Sequence, residues 1–312
     1  MDKGNRHNLV TFGLAGLLLL PACRWDAPDP ERDDTPTSGR ILVLADADCR
    51  AVIDQELMVF TSFYPKAEVN VRYMDEAALL RNMQSDSVRC VVTTVDPGAD
   101  QDAYLRSRNI TPRIVPVYHG GVAVAINPAS LVRQLDLDDL RRLLDRQALN
   151  VTTDVADTRA LDSLEAIFAG SGSGVARLLV DSLGIKQLKA RSVPDVAAAM
   201  DQVANNPRTV ALLPFEAISD LDNPQVREWR NRVRLVPIAA TPGGEALLPS
   251  QSTLADGSYP LRRTVKMIVM EGKSGLGTGF VSFVANHKGQ RIILKLGVAP
   301  ISIPSRDVEI VP

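Results

Sequence analysis

The sequence predicts an α/β fold with largely parallel sheets, and three observations support this prediction. Apolar, β-branched segments alternate along the chain with segments whose apolar residues recur at helical spacing, an order typical of strands and helices packed in layers. The chain has 312 residues, 45% of them apolar and 23% charged, which is ordinary for one large domain or two lobes. No internal repeat is legible that would indicate a repeat architecture.

The first half of the folded region alternates between strands and helices. Residues 51–65 carry apolar side chains at helical spacing and end at Pro65, which stops a helix. Asp75 stands where a helix cap is expected, and residues 68–74 alternate between apolar and polar side chains as a half-buried strand does. The predicted strands are 40–46, 68–74, 88–94 and 113–127, and the predicted helices are 51–65, 75–86 and 135–146.

The second half continues the alternation. The stretch "GSGSGVARLLVDSLG" at 170–184 places glycines and serines directly before an apolar helical pattern, which predicts a helix that begins near Gly174. The remaining predicted elements are helices at 193–206 and 277–297, and strands at 208–214, 233–239 and 259–270.

The N-terminus has the three parts of a secretory signal. Lys3 and Arg6 precede a short apolar run, and "LPAC" at residues 20–23 follows it. The run is too short for a comfortable membrane span. Cys23 stands where bacterial lipoprotein signals carry the cysteine that is lipidated; a plain signal peptide with an incidental cysteine is the alternative. We expect a lipoprotein signal peptide at 1–23 and, because residues 24–39 are rich in Pro and Asp, a flexible tether after it.

Composition excludes several function classes. A formal net charge of −2 and 4% aromatic residues argue against a nucleic-acid partner. Three histidines and three cysteines leave few soft metal ligands, and no metal or cofactor is expected. After the signal is removed only His119 and His287 remain as histidines, with no legible spacing to a nucleophile, so we do not expect an enzyme. Cys49 and Cys90 either pair in an oxidising compartment or stay buried as thiols.

The glycine-rich turn at 170–174 is a candidate anion site. The first amides of a helix have no partner within the helix, and glycines let an anion approach them. A P-loop is excluded because Val175, Ala176 and Arg177 follow Gly174. The dinucleotide pattern and the nucleophile elbow are also broken. The alternative is a flexible loop with a serine helix cap.

Motifs towards the C-terminus carry a resemblance to a known family. Tyr259, Pro260, Leu261 and Arg263 form a Tyr-Pro-Leu-x-Arg strand, a Gly-Gln turn follows at 289–290, and a Gly-x-x-Pro ends the fold at 297–300. Together with the segments 120–144 and "VANNPRTVALLP", these motifs resemble phosphate ABC transporter substrate-binding proteins of the PstS-like family. The resemblance covers nearly all of residues 40–305, and it depends on the order and spacing of the motifs.

The resemblance implies a periplasmic-binding-protein fold of type II. Two α/β lobes would be joined by two crossing hinge strands, with lobe one at 40–122 plus 240–312 and lobe two at 123–239. The ligand would be a small oxyanion, with phosphate as the expected one, held between the lobes without covalent chemistry. The implied ligand-binding residues are Asp48, Cys49, Thr94, Asp96, Ser171, Gly172, Ser173, Gly174 and Val175.

The sequence departs from the family pattern at the implied site. Val175 replaces a threonine, and Ala169 stands where the family carries an arginine, which removes a charge-assisted contact to phosphate. Asp48 lies where a Ser or Thr is usual, and a carboxylate there disfavours a dianion. Asp96 either matches the family's aspartate, which accepts a proton from protonated phosphate, or is a turn residue before Pro97.

Two functions fit the sequence, of which the first is the expected one and the second is the alternative. The first is an exported, lipid-anchored protein that faces the periplasm and delivers an oxyanion to an ABC transporter permease. The second keeps the fold as a scaffold or partner-binding subunit of an envelope complex, with weak or no phosphate binding. The altered residues at Asp48, Ala169 and Val175 favour the second more than a typical family member would.

Overall fold

The computed structural model of the chain describes residues 34–145, 164–170 and 173–303. The predicted signal peptide with Cys23, most of the predicted tether, and Ser171 with Gly172 lie outside these residues. Within the described ranges, no helix is long and apolar enough to cross a membrane.

Strands and helices alternate along the described chain, as the sequence pattern predicts. The strands are β1 Gly39–Asp46, β2 Ala67–Met74, β3 Val88–Thr93, β4 Arg113–Ile126, β5 Leu135–Asp136, β6 Glu165–Ala169, β7 Arg191–Val193, β8 Thr209–Pro214, β9 Arg234–Leu235, β10 Ile238–Ala239, β11 Ala246–Leu247, β12 Arg262–Val269 and β13 Ala299–Pro300. The helices are α1 Arg50–Phe63, α2 Glu76–Asn82, α3 Ala99–Ser107, α4 Leu137–Leu144, α5 Gly174–Leu183, α6 Val196–Asn205, α7 Pro224–Arg232, α8 Gln251–Ala255, α9 Leu276–Ala285 and α10 His287–Lys295.

The main sheet is mixed and has two parallel parts. Its strand order is β2-β1-β3-β12-β4-β8-β6-β7. The strands β2, β1 and β3 run parallel to one another, and so do β8, β6 and β7. The strands β12 and β4 join the two parts through antiparallel pairings. We call the part with β1, β2, β3 and β12 the first lobe, and the part with β6, β7 and β8 the second lobe.

The long strand β4 belongs to both lobes. Its residues Arg113–Gly121 pair with β12 of the first lobe, and Val122–Ile126 pair with β8 of the second. The segment predicted as one strand at 233–239 forms instead the two short strands β9 and β10, which pair with β4 and β5. The fold is therefore a two-lobed α/β structure in which one continuous strand links the lobes.

The helix predicted at 277–297 is two helices in the structure. The break is at Asn286, whose backbone is extended and whose side chain accepts the N–H of His287 at 2.6 Å. The second helix, α10, lies so close to α9 that a Cβ on Gly289 would come within 2.4 Å of the Val284 carbonyl oxygen. The helical periodicity runs through the break because both helices bury apolar faces in the same core.

The described end of the predicted tether packs against the first lobe. Oδ1 of Asp34 accepts the N–H of Leu276 at 2.7 Å, at the first turn of α9. The carbonyl of Pro36 lies so close to α9 that a Cβ on Gly279 would fall 1.8 Å from its oxygen. Residues 34–38 are thus held on α9 before β1 begins at Gly39.

Both cysteines of the described chain are buried free thiols. Cys49 precedes α1 and Cys90 lies in β3, and neither forms a disulfide. Burial is the main cause that raises the pKa of each thiol, which leaves both protonated near neutral pH. Of the two alternatives that the sequence left open, the structure has the unpaired one.

Candidate functional site

The candidate site lies where the end of β1 faces the start of α5. A short 3-10 turn, Ala47–Cys49, follows β1 and leads directly into α1. Oδ1 of Asp46 accepts the N–H of Asp48 at 3.1 Å, and this contact fixes the turn. The side chain of Asp48 is buried, with the residue 6% exposed.

Helix α5 brings its first turn to the same place from the second lobe. Ser173 is its cap: the hydroxyl oxygen accepts the N–H of Ala176 at 3.2 Å. The N–H of Val175 has no partner within the helix, as is general for the first turn. That N–H donates to Oδ2 of Asp48 at 2.8 Å. A carboxylate of the protein thus takes the position at the helix N-terminus that suits a bound anion.

Arg263 of β12 contacts the same Asp48 carboxylate. Its guanidinium is buried, with Nη1 at 3.4 Å from Oδ2 of Asp48 and Nη2 at 2.5 Å from Oε1 of Glu216. Burial by itself would lower the pKa of Arg263, but Glu216 and Asp48 outweigh it and raise that pKa above its usual value. Arg263 is therefore already paired with two carboxyl groups of the protein.

Asp46 adds a third carboxyl group beside this pair. Burial, and then the neighbouring Asp48, raise the pKa of Asp46 to about 8, so that the group is protonated at neutral pH. Its Oδ2 makes no hydrogen bond among the described residues. A Cβ on Gly174 would lie 2.2 Å from this oxygen. Glycine at 174 is thus needed for the close approach of α5 to Asp46.

A second ion pair joins the lobes. Oε1 of Glu76, at the start of α2, accepts the hydroxyls of Thr93 at 3.1 Å and Thr94 at 2.8 Å. Its Oε2 lies 3.6 Å from Nη1 of Arg177 on α5. Glu76 is almost fully buried, so solvent screens this pair less than it screens a surface pair. Besides the close approach of Asp46, the first lobe thus makes polar contacts to α5 through Asp48 and through Glu76.

The resulting interlobe cluster holds four carboxyl groups and two guanidinium groups. Its members are Asp46, Asp48, Glu76, Glu216, Arg177 and Arg263. An added dianion would meet the negative ends of Asp48 and Glu216 and would have to replace Asp48 on the Val175 amide. The cluster therefore links the two lobes through charged groups of the protein itself.

The structure brings some of the candidate site residues together and leaves others apart. Asp48, Ser173, Gly174 and Val175 meet at the start of α5, and the buried Cys49 directly precedes α1. Thr94 donates its hydroxyl to Glu76 and lies at the edge of the same cluster.

Asp96 lies farther out. Its carboxylate is exposed and paired with Lys266 at 2.7 Å. Ser171 and Gly172 are outside the described residues. Ala169, where the family carries an arginine, ends β6 and lines an interlobe cavity.

Sequence reasoning missed the charge partners that define the cluster. In the sequence Arg263 stands out only as part of a strand motif, although a charged residue on the buried face of β12 indicates that it needs a partner. Glu216 follows β8 in a run of buried residues, which is a signal of the same kind. Nothing in the sequence indicated that the two face each other.

Metal ligands do not converge here. Within residues 34–145, 164–170 and 173–303, no group of three or more His, Cys, Asp or Glu side chains is placed to hold a metal ion.

The comparisons with known proteins agree with this architecture. A family model described as a PBP superfamily domain matches residues 30–288. No curated protein matches the chain.

Three solved structures share the fold at low sequence identity. A putative phosphate ABC transporter substrate-binding protein with bound phosphate from Clostridium perfringens is 14% identical, with a TM-score of 0.64 over 85% of this chain and 100% of that one. An ABC-type phosphate transport receptor from Vibrio cholerae is 12% identical, with a TM-score of 0.62 over 84% and 100%. A possible phosphate binding protein from Planctomyces limnophilus is 13% identical, with a TM-score of 0.59 over 85% and 94%.

Proposed function

Because this chain belongs to the family described as the PBP superfamily domain, we propose that it is the exported binding-protein component of an envelope transport complex, and that it binds free phosphate weakly or not at all. The observation that carries the proposal is the hydrogen bond from the Val175 N–H to Oδ2 of Asp48. The anion position at the start of α5 is filled by the protein itself. No catalytic step is proposed.

The energy balance at this position disfavours a free anion. Phosphate would have to displace a carboxylate that accepts the Val175 N–H and pairs with Arg263. A hydrogen bond to a charged group contributes about 1.5–3 kcal/mol, and a displaced Asp48 would leave part of that unrecovered. Ala169 offers no guanidinium to offset this loss, whereas an arginine would.

Closure without a ligand follows from the same contacts. In a two-state binding protein, the ligand shifts the lobes towards closure by as much as it prefers the closed state. Here Asp48 with Val175, and Glu76 with Arg177, supply contacts across the cleft between groups of the protein itself. The protein would therefore offer a partner one constant, closed surface, which suits a subunit of a complex.

The proposal includes the place of the protein in the cell. The signal pattern that ends at Cys23 supports export and lipid anchoring, with the folded part facing the periplasm. Asp34, the first described residue, contacts the start of α9. Residues 24–33 would therefore form the tether between the folded body and the membrane. An ABC transporter permease or another envelope complex would be the partner.

A second candidate is capture of an oxyanion, with phosphate first, for an ABC transporter. It is favoured by the capped start of α5 with Ser173, and by the phosphate bound in the Clostridium perfringens structure. Under this candidate, Asp48 would leave the Val175 amide when the anion enters.

Calorimetry with inorganic phosphate separates the two candidates. The full-length protein in detergent is titrated beside Asp48→Ser, which frees the Val175 N–H and restores a hydroxyl. We expect no native binding tighter than about 1 mM, and at least a tenfold gain for Asp48→Ser. Asp201→Ser removes an exposed carboxylate elsewhere, on α6, and should not bind phosphate more tightly than the native protein does. Native binding in the micromolar range would reject the first candidate in favour of capture.

A further inference from the structure

A cavity of about 500 Å³ lies between α1 of the first lobe and the strand ends of the second lobe. Arg50, Ala51 and Asp54 line it on the α1 side, and residues 194–197 line it at the start of α6. The volume lies within the range of small-molecule sites. The cavity adjoins the interlobe cluster, because Asp48 and Glu216 belong to the walls of both.

The wall of this cavity is strongly acidic. One lining residue is a cation, Arg50, and its guanidinium stacks on the ring of Tyr73 at 3.9 Å from the ring centroid. Clefts lined by charges of one sign raise the local concentration of ions of the opposite sign. The carboxyl residues among the described lining residues are Asp48, Asp54, Asp195, Glu216 and Asp220.

Glu216 supplies an acceptor that the protein leaves unused. The residue is 2% exposed, and its Oε1 is taken by Arg263. Its Oε2 makes no hydrogen bond among the described residues. Since a buried carboxyl oxygen without a donor is costly, a ligand N–H that reached Oε2 from the cavity would relieve that cost.

The cavity lining also has an apolar and aromatic part. Trp229 on α7 lines the cavity together with Val226 and Ala197. An indole face attracts an ammonium or guanidinium group more strongly than other aromatic faces do. Acidic residues, a carboxyl oxygen without a donor and an indole in the lining of one cavity form a combination that suits a positively charged organic group.

We propose that this cavity is a binding site for a small organic cation, one that carries a primary ammonium or guanidinium group. The site goes beyond the function proposed above, because it uses neither the Val175 amide nor phosphate. Its ligand would contact both lobes at once, through the α1 wall and the α7 wall, and would add to the closure that Asp48 and Glu76 provide.

The test is calorimetry on the full-length protein in detergent, at neutral pH and fixed ionic strength. The probes are 1,4-diaminobutane and methylguanidine, with 1,4-butanediol as a neutral match for the diamine. We expect both cations to bind at least tenfold more tightly than the diol, and to raise the melting temperature with concentration. Absence of cation binding, or equal binding of the diol, would overturn the proposal.

Two variants test whether the cations bind in this cavity. In Asp54→Asn/Asp195→Asn/Asp220→Asn three charges are removed, but the amide oxygens keep the acceptors that Asp195 and Asp220 offer to backbone N–H groups. This variant and Trp229→Leu should each weaken cation binding at least tenfold, whereas Asp201→Asn should not change it. Cation binding that survives both changes would also overturn the proposal. Inorganic phosphate, titrated in the same series, reports separately on the function proposed above.

Discussion

The backbone N–H of Val175 donates a hydrogen bond of 2.8 Å to Oδ2 of Asp48, 127 positions earlier in the chain and on the other lobe. Arg263 contacts the same oxygen at 3.4 Å. One carboxylate thus joins the turn after β1, the start of α5 and the strand β12. This arrangement links the two lobes through groups of the protein itself.

Asp48→Ala is expected to open the cleft. Removal of one partner of a buried pair leaves the other partner's charge less compensated, and we expect a loss of about 3 kcal/mol in the free energy of unfolding. Small-angle scattering should show a larger radius of gyration for Asp48→Ala than for the native protein. Asp201→Ala should scatter like the native protein. An Asp48→Ala variant as compact as the native protein would show that other contacts hold the lobes.

Stability should fall as the pH rises from about 4 to about 8. The pKa of Asp46 is about 8 in the folded protein and about 3.9 in an unfolded chain. Between these values the folded state binds the extra proton, so its stability is present at low pH and is lost as the pH approaches 8. Asp46→Asn should flatten the dependence by up to about 1.4 kcal/mol per pH unit. Urea unfolding at several pH values measures this, and identical slopes for variant and native protein would contradict it.

Glu56→Met is expected to stabilise the protein. Glu56 lies on the buried face of α1, neither of its carboxyl oxygens has a hydrogen-bond partner among the described residues, and burial raises its pKa to about 9. Replacing an unsatisfied buried carboxyl with an apolar side chain of similar length should raise the free energy of unfolding by about 1–3 kcal/mol. Gln55→Met, at the exposed neighbouring position, is the control. A destabilised Glu56→Met would reveal a partner for the carboxyl.

Gly279→Ala is expected to release residues 34–38 from α9. The new methyl group would overlap the Pro36 carbonyl, which is backbone and cannot rotate away. We expect a loss of about 1–3 kcal/mol and faster proteolytic cleavage before β1. Gly272→Ala is the matched control because nothing lies within 4 Å of its added Cβ. If both variants are cleaved at the native rate, the N-terminal segment is not held where the structure places it.

Cys23→Ser is expected to release the protein from membranes. The apolar run and the "LPAC" sequence predict lipidation at Cys23, and one acylated residue is the difference between an anchored and a free protein. Cell fractionation and mass spectrometry of the mature N-terminus measure this. A soluble native protein whose mature N-terminus is unmodified and lies elsewhere would contradict the prediction.

The sequence by itself determined the order of most of the long elements, because helical and strand periodicity records which face of each segment is buried, but it did not predict α3, β6 or α7. It also indicated correctly that Asp75 caps α2, and the serine cap that was the alternative for the turn at 170–174 is present as Ser173 on α5. The family motifs then predicted the two-lobed fold, which the family model and the solved structures support. Periodicity and helix caps depend on residues that are close in the sequence, and the family motifs recur in a known order, so each can be recognised from the sequence.

Only the tertiary structure shows which charged side chains meet in the cleft between the lobes. Arg263 meets Asp48 across 215 positions of the chain and Glu216 across 47, and no periodicity encodes such pairs. The break at Asn286 could not be predicted from periodicity either, because both helices beside it bury apolar faces. Charge pairing across a cleft depends on how two lobes are placed, to within an ångström, and that placement results from the packing of the whole core rather than from any segment of the sequence.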